Sequence, residues 1–202
     1  MRTNDIRKIR KSMEKTLDPK RYGHTLGVAY TAAALAMRYE TSIKNAELAG
    51  LLHDCAKCMS DEKRISICEK HNITMNEIER RNPYLLHAKV GSYLAMEEYH
   101  VQDPDIIHAI LNHTTGRPGM SLLEKIIFIA DYIEPNRRQA PNLKEIRKLA
   151  FVDLDQAMFM VLGDILDYLE STGGETDPMT RKTYDYFARI RKDSPEGNPE
   201  QI

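Results

Sequence analysis

The sequence predicts an all-α fold in a single compact domain. Helix caps and prolines punctuate the whole chain, and the segments between them carry apolar residues at helical spacing. Alternating apolar and polar residues, which would indicate strands, are hard to find, and neither a repeat nor a domain boundary is visible. We therefore expect an orthogonal array of helices over residues 1–192, followed by a disordered polar tail over residues 193–202.

Helices are predicted in order along the chain from their caps and breakers. An Asp-Pro pair closes the first helix, and the Ala-rich run after it suits a tightly packed interior helix. Ser42 is a candidate cap for the third, whose apolar residues fall on one face as far as Cys55. TGRPGM and GGETDP have the Gly and Pro content of connectors. The predicted ranges are 4–17, 19–39, 42 through at least 55, 60–71, 76–81, 87–100, 103–114, 121–133, 143–150, 153–171 and 179–192.

The composition is that of an ordinary globular protein rather than a disordered one. Hydrophobic residues make up 42% of the chain and charged residues 29%. Lys and Arg total 29 against 30 Asp and Glu, so no global positive field indicates binding to nucleic acid or to a membrane. A local basic patch around a phosphate substrate is compatible with this balance.

The cellular location of the protein is inferred from targeting and membrane-spanning features that the sequence lacks. The charged N-terminal segment has no apolar core of signal-peptide length. The longest apolar stretch, at residues 126–130, ends at Asp131 and is too short to span a membrane. The chain has three cysteines, and this odd number favours reduced thiols over a set of disulfides. We therefore expect a cytoplasmic protein.

Several histidine and aspartate residues lie inside apolar segments, and this placement indicates a bound metal ion. A buried carboxylate is costly unless a metal, a cation or several donors compensate it. Taken singly, each histidine is more simply a core residue or a cap, as we expect for His71, His100 and His108. In combination they favour a metal site with four ligands from three helices. The expected ligands are His24, His53, Asp54 and Asp131, and His87 and His113 lie at helix ends nearby.

Three cations are candidates for binding phosphate beside this site. Lys57 follows Asp54 by three residues, which in a helix places both on one side. Arg21 precedes His24 by three residues, and Arg137 follows the EPN turn; both have the planar fork that suits phosphate. Solvated surface side chains remain the alternative for all three.

At these residues the chain resembles the HD superfamily of metal-dependent phosphohydrolases, whose pattern is H…HD…D. It resembles most the YqeK-like bacterial branch of symmetrical bis(5'-nucleosyl)-tetraphosphatases. The resemblance lies in RYGHTLGVA, GLLHDCAK, LLHAKVG, AILNHTTGRPGM and KIIFIADYIEPNR. It implies an iron-bound, HD-type helical domain that splits diadenosine tetraphosphate into two ADP, with manganese, magnesium or zinc as substitutes for iron. Cys55 departs from the aromatic or aliphatic residue that is usual there, which we attribute to packing.

The resemblance also implies roles for individual residues. His24, His53, Asp54 and Asp131 would hold the metal, while His87 and His113 would bind a second ion or contact the phosphates. A metal-activated water would attack phosphorus, with Asp54 and Lys57 as catalytic residues. Independently of the resemblance, the candidate substrate contacts are Arg21, Lys57, Tyr132, Arg137 and, in the loop GGETDPMT, Thr180.

Several alternatives remain open from the sequence. Cys55-x2-Cys58 followed by Cys68-x2-His71 has the outline of a zinc site. Another nucleotidase or phosphodiesterase activity of the HD type is the nearest enzymatic alternative, and a non-catalytic nucleotide-binding module is a different class. The Met- and Tyr-containing C-terminal helices are candidates for a homodimer surface.

Overall fold

The computed structural model describes residues 5–193, with side chains through residue 191. Over that part of the chain it contains eleven α-helices and one short 3-10 helix, and no strand. The α-helices are α1 (Ile6–Thr16), α2 (Pro19–Arg38), α3 (Ile43–Leu52), α4 (Asp61–Lys70), α5 (Glu77–Arg81), α6 (His87–Glu97), α7 (Pro104–Leu111), α8 (Leu122–Ile133), α9 (Leu143–Leu149), α10 (Leu154–Thr172) and α11 (Pro178–Asp193). The 3-10 helix, Pro83–Leu86, leads directly into α6. The all-α prediction is confirmed.

Most helices begin where the sequence supplies a side-chain cap. In each case an Asp, Ser or Asn oxygen accepts a hydrogen bond from a backbone N–H in the first helical turn, which would otherwise lack a partner. The caps are Asp5, Asp18, Ser42, Ser60, Asn76, Asp103, Ser121 and Asp153. Asp193, the first residue of the predicted tail, still belongs to α11, and residues 194–202 lie outside the described residues.

The third predicted helix is too long, and the HD pair does not lie inside it. α3 ends at Leu52, and residues 53–58 form a succession of turns. The N–H groups of Cys55, Lys57 and Met59 each bond to the carbonyl three residues earlier, which is 3-10 rather than α geometry. Apolar periodicity continues through Cys55 because that side chain is still buried, so the pattern did not reveal the change. The prediction for 103–114 is likewise too long, since α7 ends at Leu111.

Four helices that carry or border the histidine and aspartate residues pack together at the centre of the protein. α3 lies against α2, α7 and α8, and α2 also contacts α8. α6 covers α7, whereas α10 joins α8 to α9 and α11. The central contacts are made by fully buried apolar side chains such as Val28, Leu51 and Ile129. α10 and α11 pack on each other, and the expected homodimer stays a prediction.

Gly50 permits the close approach of α2 and α3. A Cβ at this position would lie 2.7 Å from the Cα of Ala29 and 3.0 Å from its backbone nitrogen. Because both atoms belong to the backbone of α2, no side chain can move aside to make room. The same glycine carbonyl accepts a hydrogen bond from Nδ1 of His53 at 2.7 Å. Among the described residues, no helix is both long enough and apolar enough to cross a membrane.

We predict that Gly50→Ala lowers the free energy of unfolding by about 1–3 kcal/mol, because the added methyl group overpacks the α2–α3 contact. The matched control is Gly163→Ala in α10, where the new Cβ would meet a ring carbon of Tyr184 at an ordinary 3.6 Å. That control should be neutral or stabilising by up to about 1 kcal/mol, since alanine is the better helix former. Urea denaturation measures both; equal effects would contradict the assigned contact.

Candidate metal centre

Six metal-ligand side chains meet at one point among the central helices. They come from five places in the fold: the first turns of α2, the turn after α3, which supplies two of them, the start of α6, the turn after α7, and α8. The residues are His24, His53, Asp54, His87, His113 and Asp131. The imidazole rings lie edge to face, with centroids 5.5 Å apart for His24 and His53 and 5.0 Å for His53 and His113. The structure thus brings these six side chains together, and the role of each as a metal ligand stays a prediction.

The Asp54 carboxylate lies between two pairs of histidines. Its Oδ2 is 3.5 Å from Nε2 of His53 and 3.9 Å from Nε2 of His24. Its Oδ1 is 3.3 Å from Nε2 of His87 and 3.6 Å from Nε2 of His113. Only 2% of Asp54 is exposed, so both oxygens depend on the protein interior for compensation.

Backbone hydrogen bonds orient three of the histidine rings. In His53, His87 and His113, Nδ1 lies 2.7 Å from the carbonyl oxygen three residues earlier. A carbonyl oxygen can only accept, so each Nδ1 is the nitrogen that carries the proton. Nε2, the remaining nitrogen, therefore has its lone pair directed into the cluster, as in metal-binding histidines.

Several polar atoms of the cluster are buried without a hydrogen bond. Among the described residues, Nε2 of His24, Nε2 of His53 and Oδ1 of Asp54 have no partner of acceptable geometry. Leaving such atoms unpaired costs about 1–3 kcal/mol each, so they indicate a missing electron-pair acceptor. Ligand atoms within 4.8 Å of one another form two groups that share His53: His24–His53–Asp131 and His53–Asp54–His113. The residues therefore fit a bound metal ion.

The protonation states of Asp54 and His87 also suit a metal, whereas for His24 burial is outweighed by the carboxylates of Asp131 and Glu134, which raise its pKa. Burial raises the pKa of a carboxyl group, but the imidazoles of His53, His113 and His87 outweigh burial and hold the pKa of Asp54 well below its ordinary value. Burial, together with the neighbouring His113 and Lys57 side chains, lowers the pKa of His87 well below its ordinary value. An ionised carboxylate and a neutral imidazole are the forms that bind metals.

Glu134 supports His24 from outside the cluster, and the sequence analysis did not identify it. Its Oε1 lies 3.1 Å from Nδ1 of His24, and its Oε2 accepts a bond from the Asn136 N–H at 2.7 Å. Gly27 leaves room for this carboxylate, because a Cβ there would lie 2.3 Å from Oε2. The signal available in the sequence was spacing: Gly27 follows His24 by three residues within α2, and Glu134 follows Asp131 by three residues, directly after the end of α8.

Arg64 is a second supporting residue that the sequence analysis missed. Only 5% of it is exposed, and its guanidinium donates to the backbone carbonyls of Ala56, Lys57 and Met59 in the turn after α3. It also donates to the carbonyl of Pro83 at 3.2 Å. One buried cation thus joins the turn that carries the HD pair to the 3-10 helix that leads into α6, and it binds backbone carbonyls of a segment that has no α-helical hydrogen bonds.

The three predicted phosphate-binding cations all reach the cluster. The Arg21 guanidinium donates to Oδ2 of Asp54 at 2.7 Å, and that of Arg137 donates to Oδ1 of Asp131 at 3.2 Å. Lys57 lies in a turn rather than a helix, yet its Nζ is 3.2 Å from Nε2 of His87. Burial lowers the pKa of Lys57. Their positions support contact with an anionic ligand, which stays a prediction.

The two other predicted substrate contacts differ in their positions. Tyr132 lies beside Asp131 and lines a cavity that opens from the cluster. Thr180 is only 4% exposed in the first turn of α11 and does not line that cavity. A role for Tyr132 agrees with its position, whereas the contact predicted for Thr180 has no support from its position.

The alternative zinc site is contradicted. Cys55 and Cys68 are buried, and Cys58 is exposed with its Sγ 3.3 Å from the Asp18 carboxylate. Within residues 5–191, neither group of potential metal ligands contains a cysteine. His71 stacks on the Tyr93 ring and shares a 2.9 Å hydrogen bond with its hydroxyl. The spacing of these residues resembles a zinc site, but the fold separates the side chains.

Comparison with known proteins gives consistent similarities. A family model described as HD domain matches residues 21–136. The symmetrical bis(5'-nucleosyl)-tetraphosphatase of Bacillus subtilis (strain 168) is 42% identical over 175 residues, covering 87% of this chain and 93% of that protein. The protein of the same name from Halalkalibacterium halodurans is 41% identical over 176 residues, with the same coverage.

A solved structure is similar over almost the entire fold. It is the crystal structure of an HD superfamily hydrolase from Clostridium acetobutylicum, described as involved in NAD metabolism. The two chains are 40% identical and superpose with a TM-score of 0.89, covering 93% of this chain and 99% of the other. The similarity therefore includes helices on both sides of the cluster.

We predict that Glu134→Ala weakens metal binding by roughly 10–100-fold, because the His24 ring loses the acceptor that orients it. Glu134→Gln should lose less metal affinity than Glu134→Ala, since its amide oxygen can still accept a hydrogen bond from Nδ1 of His24. Glu145→Ala, at an exposed position in α9, is the control. Metal titration of the apoprotein measures each affinity, and wild-type affinity in Glu134→Ala would contradict the assigned role.

Proposed function

The chain belongs to the HD-domain family, and from this membership and the geometry of the cluster we propose that it cleaves diadenosine tetraphosphate symmetrically into two ADP. The relatives that are about 40% identical over most of the chain bear the name of this activity. The observation that carries the proposal is the Asp54 carboxylate, buried between four histidines with one oxygen unpaired. An arrangement of this kind is costly for a purely structural role and suits a metal-dependent hydrolase.

The family binds divalent metals, and we propose iron for this chain. Four imidazoles and two carboxylates form a nitrogen and oxygen ligand set that suits iron, manganese or zinc. His24, His53, Asp54 and Asp131 would hold a first ion. His87 and His113 would hold a second ion together with Asp54, whose Oδ1 lies 3.3 Å and 3.6 Å from their Nε2 atoms, because His53 has one ligand nitrogen and would serve the first ion.

The residues around the metal would have separate roles in hydrolysis: one orients water, and the others bind the phosphates. A bound divalent metal supplies Lewis acidity, which makes water acidic enough to react at neutral pH. Asp54 stays ionised because of its lowered pKa, so its carboxylate can orient a water by accepting a hydrogen bond. Lys57, Arg21 and Arg137 would bind phosphate oxygens and stabilise their charge as the bond to the leaving ADP breaks. A dinucleoside polyphosphate would thus be bound at its phosphates by cations from three separate elements.

We predict that the iron-loaded protein converts diadenosine tetraphosphate to two ADP, which chromatographic separation of the products will show. AMP with ATP would instead identify an asymmetric enzyme. Absence of cleavage would contradict the proposal and favour another nucleotide substrate or a binding role.

We predict that Asp54→Ala abolishes turnover and reduces metal content to the background of the chelator-treated wild type. The reason is that the substitution removes the carboxylate shared by both sides of the cluster. Asp185→Ala, an exposed position in α11, is the control and should retain metal and activity. Elemental analysis and the ADP assay measure the two effects, and normal activity in Asp54→Ala would exclude the scheme.

A further inference from the structure

We propose that the cavity between α8 and α10 binds one nucleoside of the substrate, with Asp164 as the residue that recognises it. This cavity, called here the α8–α10 cavity, is lined by His113, Asp131, Tyr132, Arg137, Asp164 and Tyr168, among others. Its volume is about 600 Å³, which falls within the range of small-molecule sites. The inference rests on the proposed function and adds where the nucleoside lies.

The α8–α10 cavity begins at the metal centre. His113 and Asp131 belong to the cluster and also line the cavity. Arg137 lies beside them, with its guanidinium 3.2 Å from Oδ1 of Asp131 and 6.0 Å from the centre of the Tyr132 ring. A phosphate bound at the cluster and at Arg137 would therefore direct the group attached to it into the cavity.

The part of the lining that α10 supplies combines apolar surface with a single carboxylate. Tyr168 is an aromatic residue that is 63% exposed, and Ile165 and Leu169 lie beside it on α10. An exposed aromatic ring next to aliphatic side chains offers a flat surface on which a base can stack. The cavity is thus cationic near the cluster, apolar along its wall and acidic at Asp164.

The Asp164 carboxylate is held in place but not saturated. Its Oδ2 lies 2.9 Å from the Tyr132 hydroxyl, and its Oδ1 accepts a bond from the Asn142 amide at 2.8 Å. Because a carboxylate oxygen only accepts, the Tyr132 hydroxyl is the donor of its bond to Asp164. A carboxylate can accept about four hydrogen bonds, which leaves two acceptor sites for a ligand.

The charge pattern favours a nucleotide over a longer inorganic phosphate chain. An acceptor-only carboxylate at Asp164 would repel further phosphates, but it can accept from ribose hydroxyls or from a base amino group. A nucleotide matches all three parts of the cavity: an anionic end, a flat ring and hydrogen-bond donors. Pyrophosphate matches only the part near the cluster.

Calorimetric titration of the iron-loaded protein with ADP and with pyrophosphate tests the inference. Asp164→Asn removes the charge and one acceptor while keeping the size of the side chain, and it should weaken ADP binding about tenfold. Tyr168→Ala, at an exposed position where folding is not at risk, should weaken it by roughly 5–100-fold through lost stacking. Pyrophosphate binding should be unchanged in both variants.

Asp167→Asn is the matched control, because it lies one residue before Tyr168 on α10, is exposed and does not line the cavity. It should bind both ligands as the wild type does. The inference is overturned if the Asp164 and Tyr168 variants bind ADP like this control, or if they lose ADP and pyrophosphate affinity equally. Because the titration does not depend on turnover, it separates this inference from the proposed function, which fails if the wild type does not cleave diadenosine tetraphosphate into two ADP.

Discussion

The Asp54 carboxylate lies almost out of contact with water, and the surrounding structure compensates for its burial. Four imidazoles and the Arg21 guanidinium approach its two oxygens, yet Oδ1 still lacks a hydrogen bond. Separating a buried charge from its partners costs several kcal/mol. The surrounding helices are therefore constrained to keep donors and ligand nitrogens in place, and this constraint explains why the cluster lies at the centre of the packing.

The ends of helices, rather than their middles, supply most of the cluster. α3 ends immediately before His53, and α7 ends two residues before His113, so the partially negative ends of two helix dipoles face the site and favour a cation there. Backbone carbonyls in the same turns fix the orientation of the imidazoles. Gly50 brings α2 against α3, and Gly27 admits the carboxylate behind His24. Hydrogen bonds within the turns and packing between the helices therefore both position the side chains of the cluster.

The sequence was informative wherever the signal was local. Caps and periodicity predicted the helices, and polar residues embedded in apolar segments predicted which side chains converge. It did not predict that α3 stops before His53, because a buried Cys55 continues the apolar pattern through turns of a different hydrogen-bond type. Glu134 was missed because its contact with His24 joins segments 110 positions apart, and Asp164 because the cavity that it lines depends on the packing of α8 and α10. Arg64 was missed because its partners are backbone carbonyls of the turn that takes the place of the predicted helix.

The central claim, that the histidines and aspartates around Asp54 hold a catalytic metal, is tested most directly by anomalous diffraction at the iron edge. A crystal of the iron-loaded protein should give an anomalous peak within coordinating distance of Nε2 of His53 and of the carboxylates of Asp54 or Asp131. A second peak toward His87 and His113 would indicate two ions. A crystal whose bound iron lies elsewhere, with none beside Asp54, would contradict the claim.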